Sequence, residues 1–200
     1  MPDGSSAPGT VLAVRHAQVH NPESLVYARL PGYRLTDEGL EQARELGERL
    51  SAKPIRAVFA SPLERAVQTA EAIAAPHGLK VLTDERLIEW AFWSEWEGTP
   101  WTGLREKAPD VFRKFVDDPD DIWPGEPLRE IGGRIVEWSR EAAATEGVTI
   151  GVSHESPMAA AYLVAAGEPM AEFSAIHVPH LHAVRLAPVP PALIDPSDGI

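Results

Sequence analysis

The chain has 200 residues, of which 44% are hydrophobic and none is cysteine. This length is enough to bury one sizeable core, and the lack of cysteine excludes disulfides, thiol nucleophiles and thiolate metal sites. The formal net charge of -12 is opposite to the basic face of a typical nucleic-acid binder, so we expect neither nucleic acid nor an anionic membrane as a partner.

Residues 1–9 are rich in Pro, Gly and Ser and predict a flexible N-terminal arm. They have neither the basic start nor the apolar stretch of a secretion signal. Nowhere in the sequence do about 18 apolar residues run together, as a membrane helix requires. We therefore expect a cytoplasmic protein.

The first half of the chain alternates short apolar runs with helical patterns. Strands are predicted at 11–14, 57–60 and 80–83. A helix is predicted at 36–50, with Thr36 as its N-cap. Ser61-Pro62 begins the next helix, which ends at Pro76.

The second half begins with a segment rich in tryptophan, residues 87–101, which indicates an irregular wall. The predicted helices that follow are 102–116, 128–144 and 157–166, and the predicted strands are 148–152, 176–178 and 183–186. Residues from 187 onwards have several prolines and no periodicity, which is typical of a tail.

Strands separated by helices predict an α/β fold, a three-layer α/β/α sandwich with a mainly parallel central sheet. We expect one domain over residues 10–187, in which residues 88–127 form a cap-like wall over the site. Residues 188–200 are expected to be a Pro-rich tail.

Charged and polar side chains follow three of the predicted strands. Arg15 and His16 follow the first, Ser61 and Arg65 follow the second, and His154 follows 148–152. Because the carboxyl ends of parallel strands meet at one edge of a sheet, these residues should share a pocket. Two arginines and two helix N-termini favour a compact anion with several oxygens, such as phosphate.

Two histidines beside two arginines suit phosphoryl transfer. A neutral His16 can attack phosphorus, while His154 as a cation and both arginines hold the phosphoryl oxygens. The leaving alkoxide needs a proton, for which Glu89 is the candidate. Burial beside Trp90 and Phe92 would keep that carboxyl protonated.

These residues stand in a set of motifs spread over roughly residues 11–186. The motifs are Val14-Arg15-His16-Ala17, Leu35-Thr36-x-x-Gly39, Ser61-Pro62-Leu63-x-Arg65-Ala66-x-Gln68-Thr69-Ala70, Leu87-x-Glu89 with Trp96-Glu97-Gly98, Gly125-Glu126, and Val152-Ser153-His154. An Arg-His pair alone is weak evidence for any family. The combination of motifs resembles the histidine phosphatase superfamily, also called phosphoglycerate mutase-like.

The resemblance implies that His16 is the nucleophile that becomes phosphohistidine. It implies that Arg15, Arg65 and His154 bind the phosphoryl group and that Glu89 is the proton donor, which later activates water. No metal and no organic cofactor is implied. The expected substrate is a small phosphorylated metabolite, and the expected assembly is a monomer or a homodimer.

Four positions depart from the family's pattern. Ala17 replaces the usual glycine after the nucleophile, which is tolerable if its backbone is not left-handed. Val19 stands where a hydroxyl residue is common, and Asn21 falls one position early for the pocket asparagine. Glu155 replaces glycine after the second histidine, where it either weakens phosphate binding or orients His154 and raises its pKa.

Other positions have competing interpretations. We include Asn21, Arg29 and Glu155 among the substrate-binding residues, although Arg29 could belong to an ordinary loop. For an isolated pair, Arg15 and His16 could also be a strand-end ion-pair partner and a half-buried histidine. A metal set of three histidines lacks a completing carboxylate or cysteine: His177, His180 and His182.

Three functions fit these motifs. The first is a metal-independent phosphatase that acts through phosphohistidine on His16. The second is a mutase of the phosphoglycerate type, which returns the phosphoryl group to another hydroxyl. The short run from Trp90 to Gly98 lacks the basic and tyrosine positions of such mutases and favours hydrolysis. The third is a catalytically weak module that binds a phosphorylated ligand, supported by Val19 and Glu155.

Overall fold

The computed structural model describes residues 9–121, 126–198 and 200. The predicted N-terminal arm lies outside these residues except for Gly9, and so does Gly125 of the Gly-Glu motif. In the described part of the chain, no helix combines the length and the apolar surface that crossing a membrane requires.

The centre of the fold is a six-stranded sheet with the strand order β3-β2-β4-β1-β5-β6. The strands are β1 Thr10–Arg15, β2 Ile55–Ala60, β3 Val81–Thr83, β4 Val148–Ser153, β5 Ala183–Ala187 and β6 Ala192–Ile194. Strand β4 pairs in parallel with β1 and β2, and β2 pairs in parallel with β3. The pairs β1–β5 and β5–β6 are antiparallel, so the predicted mainly parallel sheet is confirmed.

Helices cover both faces of this sheet. They are α1 Asp37–Leu50, α2 Glu64–Ala74, α3 Trp101–Lys107, α4 Pro109–Asp117, α5 Leu128–Ala143 and α6 Glu155–Ala166. Leu12 and Val14 of β1 pack in one apolar cluster with residues of α1 and α2. Val11 and Ala13 pack in another with residues of α5 and α6. Because both faces are buried, the four central residues of β1, 11–14, are all apolar. The predicted three-layer sandwich is confirmed.

The region between β3 and α5 is irregular, and one predicted helix there is divided. Helices α3 and α4 occupy the range predicted as a single helix at 102–116. They separate at Ala108, which has φ -138° and ψ 59° and precedes Pro109. The proline ring disfavours helical geometry at the residue before it, so the prediction of one continuous helix is wrong.

The C-terminal part differs from the predictions at two places. Residues 176–178, predicted as a strand, have no strand pairing. The predicted tail contains β6, in which Leu193 pairs with Val184 of β5. This short edge strand is defined by its partner and has no periodicity of its own that a sequence pattern could detect. The other domain boundaries stay predictions.

Candidate active site

His16 and His154 meet at the carboxyl edge of the parallel strands. Strands β1 and β4 are neighbours in register, with Arg15 opposite Ser153, so the residues that follow them lie side by side. The two imidazole centroids are 5.2 Å apart with an interplanar angle of 60°. Both side chains are buried.

His16 has its Nδ1 atom 2.8 Å from the carbonyl oxygen of Ala17. A carbonyl only accepts, so Nδ1 carries the proton and Nε2 keeps its lone pair. Burial, the Arg65 guanidinium and then Arg15 hold the pKa of His16 well below its ordinary value. His16 is therefore a neutral imidazole with a nucleophilic nitrogen available.

Ala17 takes the place of the family's glycine without backbone strain. Among the described non-glycine residues, positive φ angles occur at Ser24, Ala28 and Leu181, so the φ of Ala17 is not positive. Its amide donates to Oγ1 of Thr69 at 3.1 Å, and that hydroxyl donates to the Arg65 carbonyl at 2.8 Å. Helix α2 and the loop after His16 are thereby fixed to each other.

His154 has its Nε2 atom 2.8 Å from Oγ of Ser61. Its buried Nδ1 atom has no hydrogen-bond partner among the described residues, and Oε2 of Glu89 lies 3.9 Å away. Burial, Arg65 and His16 lower the pKa of His154 well below its ordinary value. In this structure His154 therefore favours the neutral form, and the predicted cation, which belongs to the step with a bound phosphoryl group, stays a prediction.

Arg65 reaches the site from the first turn of α2. It is 1% exposed, and its Nη2 atom donates to the Ala28 carbonyl at 2.6 Å. The guanidinium carbon lies 4.7 Å from the centre of the Tyr27 ring, an attractive cation–π distance. Within the described chain its buried Nε atom has no hydrogen-bond partner.

Arg15 is held by one of its terminal nitrogens. Its Nη1 atom donates to the Val178 carbonyl at 2.7 Å and lies 2.9 Å from Oε2 of Glu155. The other oxygen of Glu155 is 2.5 Å from Nδ1 of His177. Glu155 thus contacts Arg15 and His177. The pKa of His154 is lowered by burial and by Arg65, and Glu155 is not among the main causes of this shift.

Glu89 follows the 3-10 helix Glu85–Leu87 and faces the same cavity. Its Oε1 atom accepts from the backbone amide of Trp90 at 2.8 Å. Burial raises the pKa of this carboxyl, although Arg65 opposes the shift. Trp90 is fully buried, as expected, while the Phe92 side chain lies outside the described part.

Two arginines hold the backbone on either side of Glu89. Nε of Arg29 donates to the Glu89 carbonyl at 2.8 Å, and Nη2 of Arg134 donates to the Ile88 carbonyl at 2.9 Å. The Glu126 carboxylate lies 3.3 Å from Arg134 and 4.0 Å from Arg29. Arg29 therefore stands behind Glu89 and does not line the cavity, contrary to its predicted role.

The cavity beside these groups has a volume of about 220 Å³. The residues that line it are Arg15, His16, Tyr27, Ala28, Glu89, Trp101, Glu155 and Ser156. Asn21 is not among them, since its side-chain amide bonds the amide and carbonyl of Leu25 in its own loop. Trp101 belongs to the tryptophan-rich segment that the sequence predicts as a wall, and Ser156 lies in the first turn of α6, directly after a strand end. Arg134 had no distinguishing sequence signal.

The three C-terminal histidines have three different partners. His177 contacts Glu155, Nδ1 of His180 donates to the His16 carbonyl at 2.8 Å, and Nδ1 of His182 donates to the His180 carbonyl at 3.2 Å. They precede β5, so strand alternation does not place two of them on one face. Among the described residues, no three His, Asp or Glu side chains are grouped as metal ligands.

The sequence matches the family model of the histidine phosphatase superfamily, branch 1, over residues 11–189. The uncharacterized protein Rv0525 of Mycobacterium tuberculosis is 38% identical over 74% of this chain and 74% of its own length. Phosphoserine phosphatase 1 of Hydrogenobacter thermophilus is 31% identical over 82% of this chain and 79% of its own length.

Solved structures have the same fold at lower identity. The mycobacterial glucosyl-3-phosphoglycerate phosphatase Rv2419c has a TM-score of 0.79 at 21% identity and covers 92% of this chain and 96% of its own. A phosphoserine phosphatase from Entamoeba histolytica has a TM-score of 0.78 at 18% identity and covers 92% and 94%. These structures show that the fold is shared, and the family match over residues 11–189 identifies the chain as a member of the histidine phosphatase superfamily.

Proposed function

We propose that this protein hydrolyses a small phosphomonoester through a phosphohistidine on His16. One observation carries the proposal. Several buried side-chain polar atoms have no hydrogen-bond partner among the described residues, and three of them belong to residues next to His16: Nε of Arg15, Nε of Arg65 and Nδ1 of His154. Nε of Arg56 on β2 and Nε of Arg185 on β5 also lack a partner, so the grouping of three such atoms beside one imidazole is what supports the proposal. Unpaired buried donors cost free energy, and a bound phosphoryl group would satisfy all three.

The first step is transfer of the phosphoryl group to His16. Nε2 of His16 attacks phosphorus while the bond to the ester oxygen breaks. The two guanidinium groups stabilise the charge that spreads over the phosphoryl oxygens. Glu89, kept protonated by burial, gives its proton to the leaving alkoxide.

His154 contributes a hydrogen bond without needing a charge. The Ser61 hydroxyl can donate to Nε2 of His154, and this fixes the imidazole proton on Nδ1. Nδ1 then donates to a phosphoryl oxygen. As the negative charge arrives, it raises the pKa of His154 and strengthens this hydrogen bond.

The second step regenerates the enzyme. Glu89, now a carboxylate, takes a proton from water, and the resulting hydroxide attacks the phosphohistidine. The bond between phosphorus and nitrogen breaks, inorganic phosphate leaves, and His16 returns to the neutral form that its buried position favours. No metal ion is needed in this sequence.

The name of one relative suggests a first substrate. Phosphoserine phosphatase 1 aligns with most of this chain, so O-phosphoserine belongs among the first esters tested. The cytoplasmic location and the monomeric or homodimeric state stay predictions from the sequence.

The test is turnover of p-nitrophenyl phosphate with a chelator present. We expect wild-type activity to persist and His16→Ala to lose about 10⁴-fold or more, because the nucleophile is gone. His182→Ala, at an exposed histidine, is the matched control and should retain activity. Loss of activity on chelation that a divalent ion restores, or an active His16→Ala, would contradict the proposal.

A mutase is tested with the same protein. A phosphorylated glycerate is added as acceptor, and transfer to it is compared with release of inorganic phosphate. Faster transfer to the glycerate than to water would replace the hydrolase by a mutase. Binding of phosphate without any turnover would leave only a phospholigand-binding module.

A further inference from the structure

Glu155 places a carboxylate on the wall of a cavity that is otherwise suited to an anion. It is the first residue of α6 and directly follows His154. Its side chain is 33% exposed and lines the cavity beside Arg15 and His16. A carboxylate this close to a phosphoryl site repels the substrate unless another part of the substrate benefits from it.

Arg15 is held in place by a second group besides Glu155. The same Nη1 atom that contacts Glu155 also donates to the Val178 carbonyl. Oε1 of Glu155 contacts His177, and Oε2 contacts Arg15. Each carboxylate oxygen accepts about two hydrogen bonds, so both retain capacity for a donor inside the cavity.

The described lining of the cavity has an uneven charge. Arg15 is its one cation, and the proposed phosphoryl site uses it. The lining also contains the carboxyl groups of Glu89 and Glu155, and the whole chain has a net charge of -12. Glu89 is the proposed acid, so Glu155 is the carboxylate left to contact the rest of the substrate. A substrate carboxylate would therefore meet repulsion, whereas an ammonium group would be attracted to Glu155.

We propose that the substrate is an aminoalkyl phosphate, whose ammonium group binds Glu155 while its phosphoryl group binds beside His16. This inference rests on the phosphoryl site of the proposed function. It narrows the substrates from phosphomonoesters in general to those with a cationic amine a few bonds from the ester oxygen. It also disfavours phosphorylated glycerates, whose second group is an anion.

Three phosphonates with the same two-methylene spacer between phosphorus and the terminal group test the inference by binding alone. They are 2-aminoethylphosphonate, propylphosphonate and 3-phosphonopropionate, which end in an ammonium, a methyl and a carboxylate group. Their carbon–phosphorus bond does not undergo the proposed transfer, so isothermal titration calorimetry measures affinity without turnover. The proteins compared are wild type, Glu155→Gln and Glu45→Gln, an exposed carboxylate on α1 that serves as a charge control.

For wild type and Glu45→Gln we expect the ammonium ligand to bind about tenfold tighter than the methyl ligand. The carboxylate ligand should bind the weakest. In Glu155→Gln the ammonium and methyl ligands should bind equally, within about threefold. The ratio within each protein cancels any general disturbance of Arg15, which affects all three ligands alike.

Two results would overturn the inference. One is an equal loss for all three ligands in Glu155→Gln, which would make Glu155 a positioning residue for Arg15 only. The other is tightest binding of the carboxylate ligand by wild type.

Hydrolysis of O-phosphoethanolamine is measured separately. If the ammonium preference is found but neither O-phosphoethanolamine nor p-nitrophenyl phosphate is hydrolysed, the proposed function fails and the ligand class stands. If only p-nitrophenyl phosphate is hydrolysed, the inference about the substrate fails and the proposed function stands. If none of the phosphonates binds, the phosphoryl site fails and this inference fails with it.

Discussion

The imidazoles of His16 and His154 lie edge to face, with their centroids 5.2 Å apart, on the loops that follow two neighbouring parallel strands. Both rings are buried, and the Arg65 guanidinium acts on each. The pKa of each histidine is therefore lowered. The protein holds two neutral imidazoles side by side among cations, which is the state that attack on phosphorus requires.

This burial makes folding stability depend on pH. Below the ordinary histidine pKa of about 6.5 the unfolded chain binds protons that folded His16 and His154 do not, so the unfolding free energy falls as pH falls. The loss continues down to the lowered pKa of the folded state. We expect His16→Ala to have a shallower acid dependence than wild type, measured by urea denaturation between about pH 7.5 and pH 5.5.

The control for this experiment is His182→Ala, which removes an exposed histidine. It should reproduce the wild-type slope. Identical slopes for all three proteins would mean that His16 titrates in the folded protein as it does in the unfolded chain.

The Glu89→Gln variant should react differently with esters that have poor and good leaving groups. The variant cannot protonate an alkoxide, so turnover of an alkyl phosphate should fall by about 10²- to 10⁴-fold. A p-nitrophenolate leaves without a proton, so phosphorylation by p-nitrophenyl phosphate should be far less affected, and dephosphorylation should become slow. Rapid-quench kinetics should then show a burst of about one nitrophenolate per protein.

Glu85→Gln is the matched control, since Glu85 is an exposed carboxylate close in sequence. It should turn over both ester classes at wild-type rates without a burst. If the phosphorylation rates with alkyl and aryl esters fell equally in Glu89→Gln, Glu89 would not be the acid.

The pH dependence of kcat/KM follows from the lowered pKa of His16 and the raised pKa of Glu89. His16 must be neutral, and its lowered pKa moves the rising limb to more acidic pH than free histidine would give. Glu89 must be protonated, and its raised pKa moves the falling limb to higher pH than a free carboxyl would give. Alkyl phosphate hydrolysis should therefore have a bell-shaped profile over mildly acidic to near-neutral pH, and a flat profile into strong alkali would contradict it.

Substitution of Arg29 distinguishes a role in positioning Glu89 from a role in binding the substrate. Because its Nε atom donates to the Glu89 carbonyl, Arg29→Met should misplace the acid and lower kcat by about tenfold, with KM changed by less than about threefold. Arg44→Met removes an exposed arginine of α1 and is the control. A rise in KM at constant kcat would instead support the role in substrate binding that the sequence predicts.

Adjacent glycines in α5 should respond oppositely to alanine. A Cβ at Gly132 would lie 2.5 Å from the Ala160 carbonyl oxygen of α6, whereas a Cβ at Gly133 would meet nothing within 4 Å. Gly132→Ala should lower the unfolding free energy by about 1–3 kcal/mol. Gly133→Ala should raise it by about 0.5–1 kcal/mol. Urea denaturation measures both, and a neutral Gly132→Ala would contradict the close packing of α5 on α6.

The strands that carry the site were predictable from the sequence because a buried strand consists mainly of apolar residues. Strands β1 and β4 are covered on both faces, so their sequences contain mostly apolar residues and no charged residue before the strand end. Each is followed by a histidine, and the strand-end rule then brings His16 and His154 together. The division at Ala108 also had a local cause in the following proline, although helical periodicity on both sides of it indicated one helix.

The remaining features depend on packing that no local pattern records. Arg134 reaches the Ile88 carbonyl from α5 only because that helix lies against this segment. Asn21 had the right side chain for a phosphate ligand, but its amide is used within its own loop. Strand β6 forms because β5 presents an edge to it, and its sequence alone reads as a tail.

The central claim is that His16 becomes phosphorylated during turnover. The direct measurement is rapid acid-free quenching of wild type and Glu89→Gln with p-nitrophenyl phosphate, followed by mass spectrometry of peptides under alkaline conditions. We expect one acid-labile, base-stable phosphoryl group on His16, more abundant in Glu89→Gln and absent from His16→Ala. A phosphoryl group on another residue, or its persistence in His16→Ala, would contradict the account.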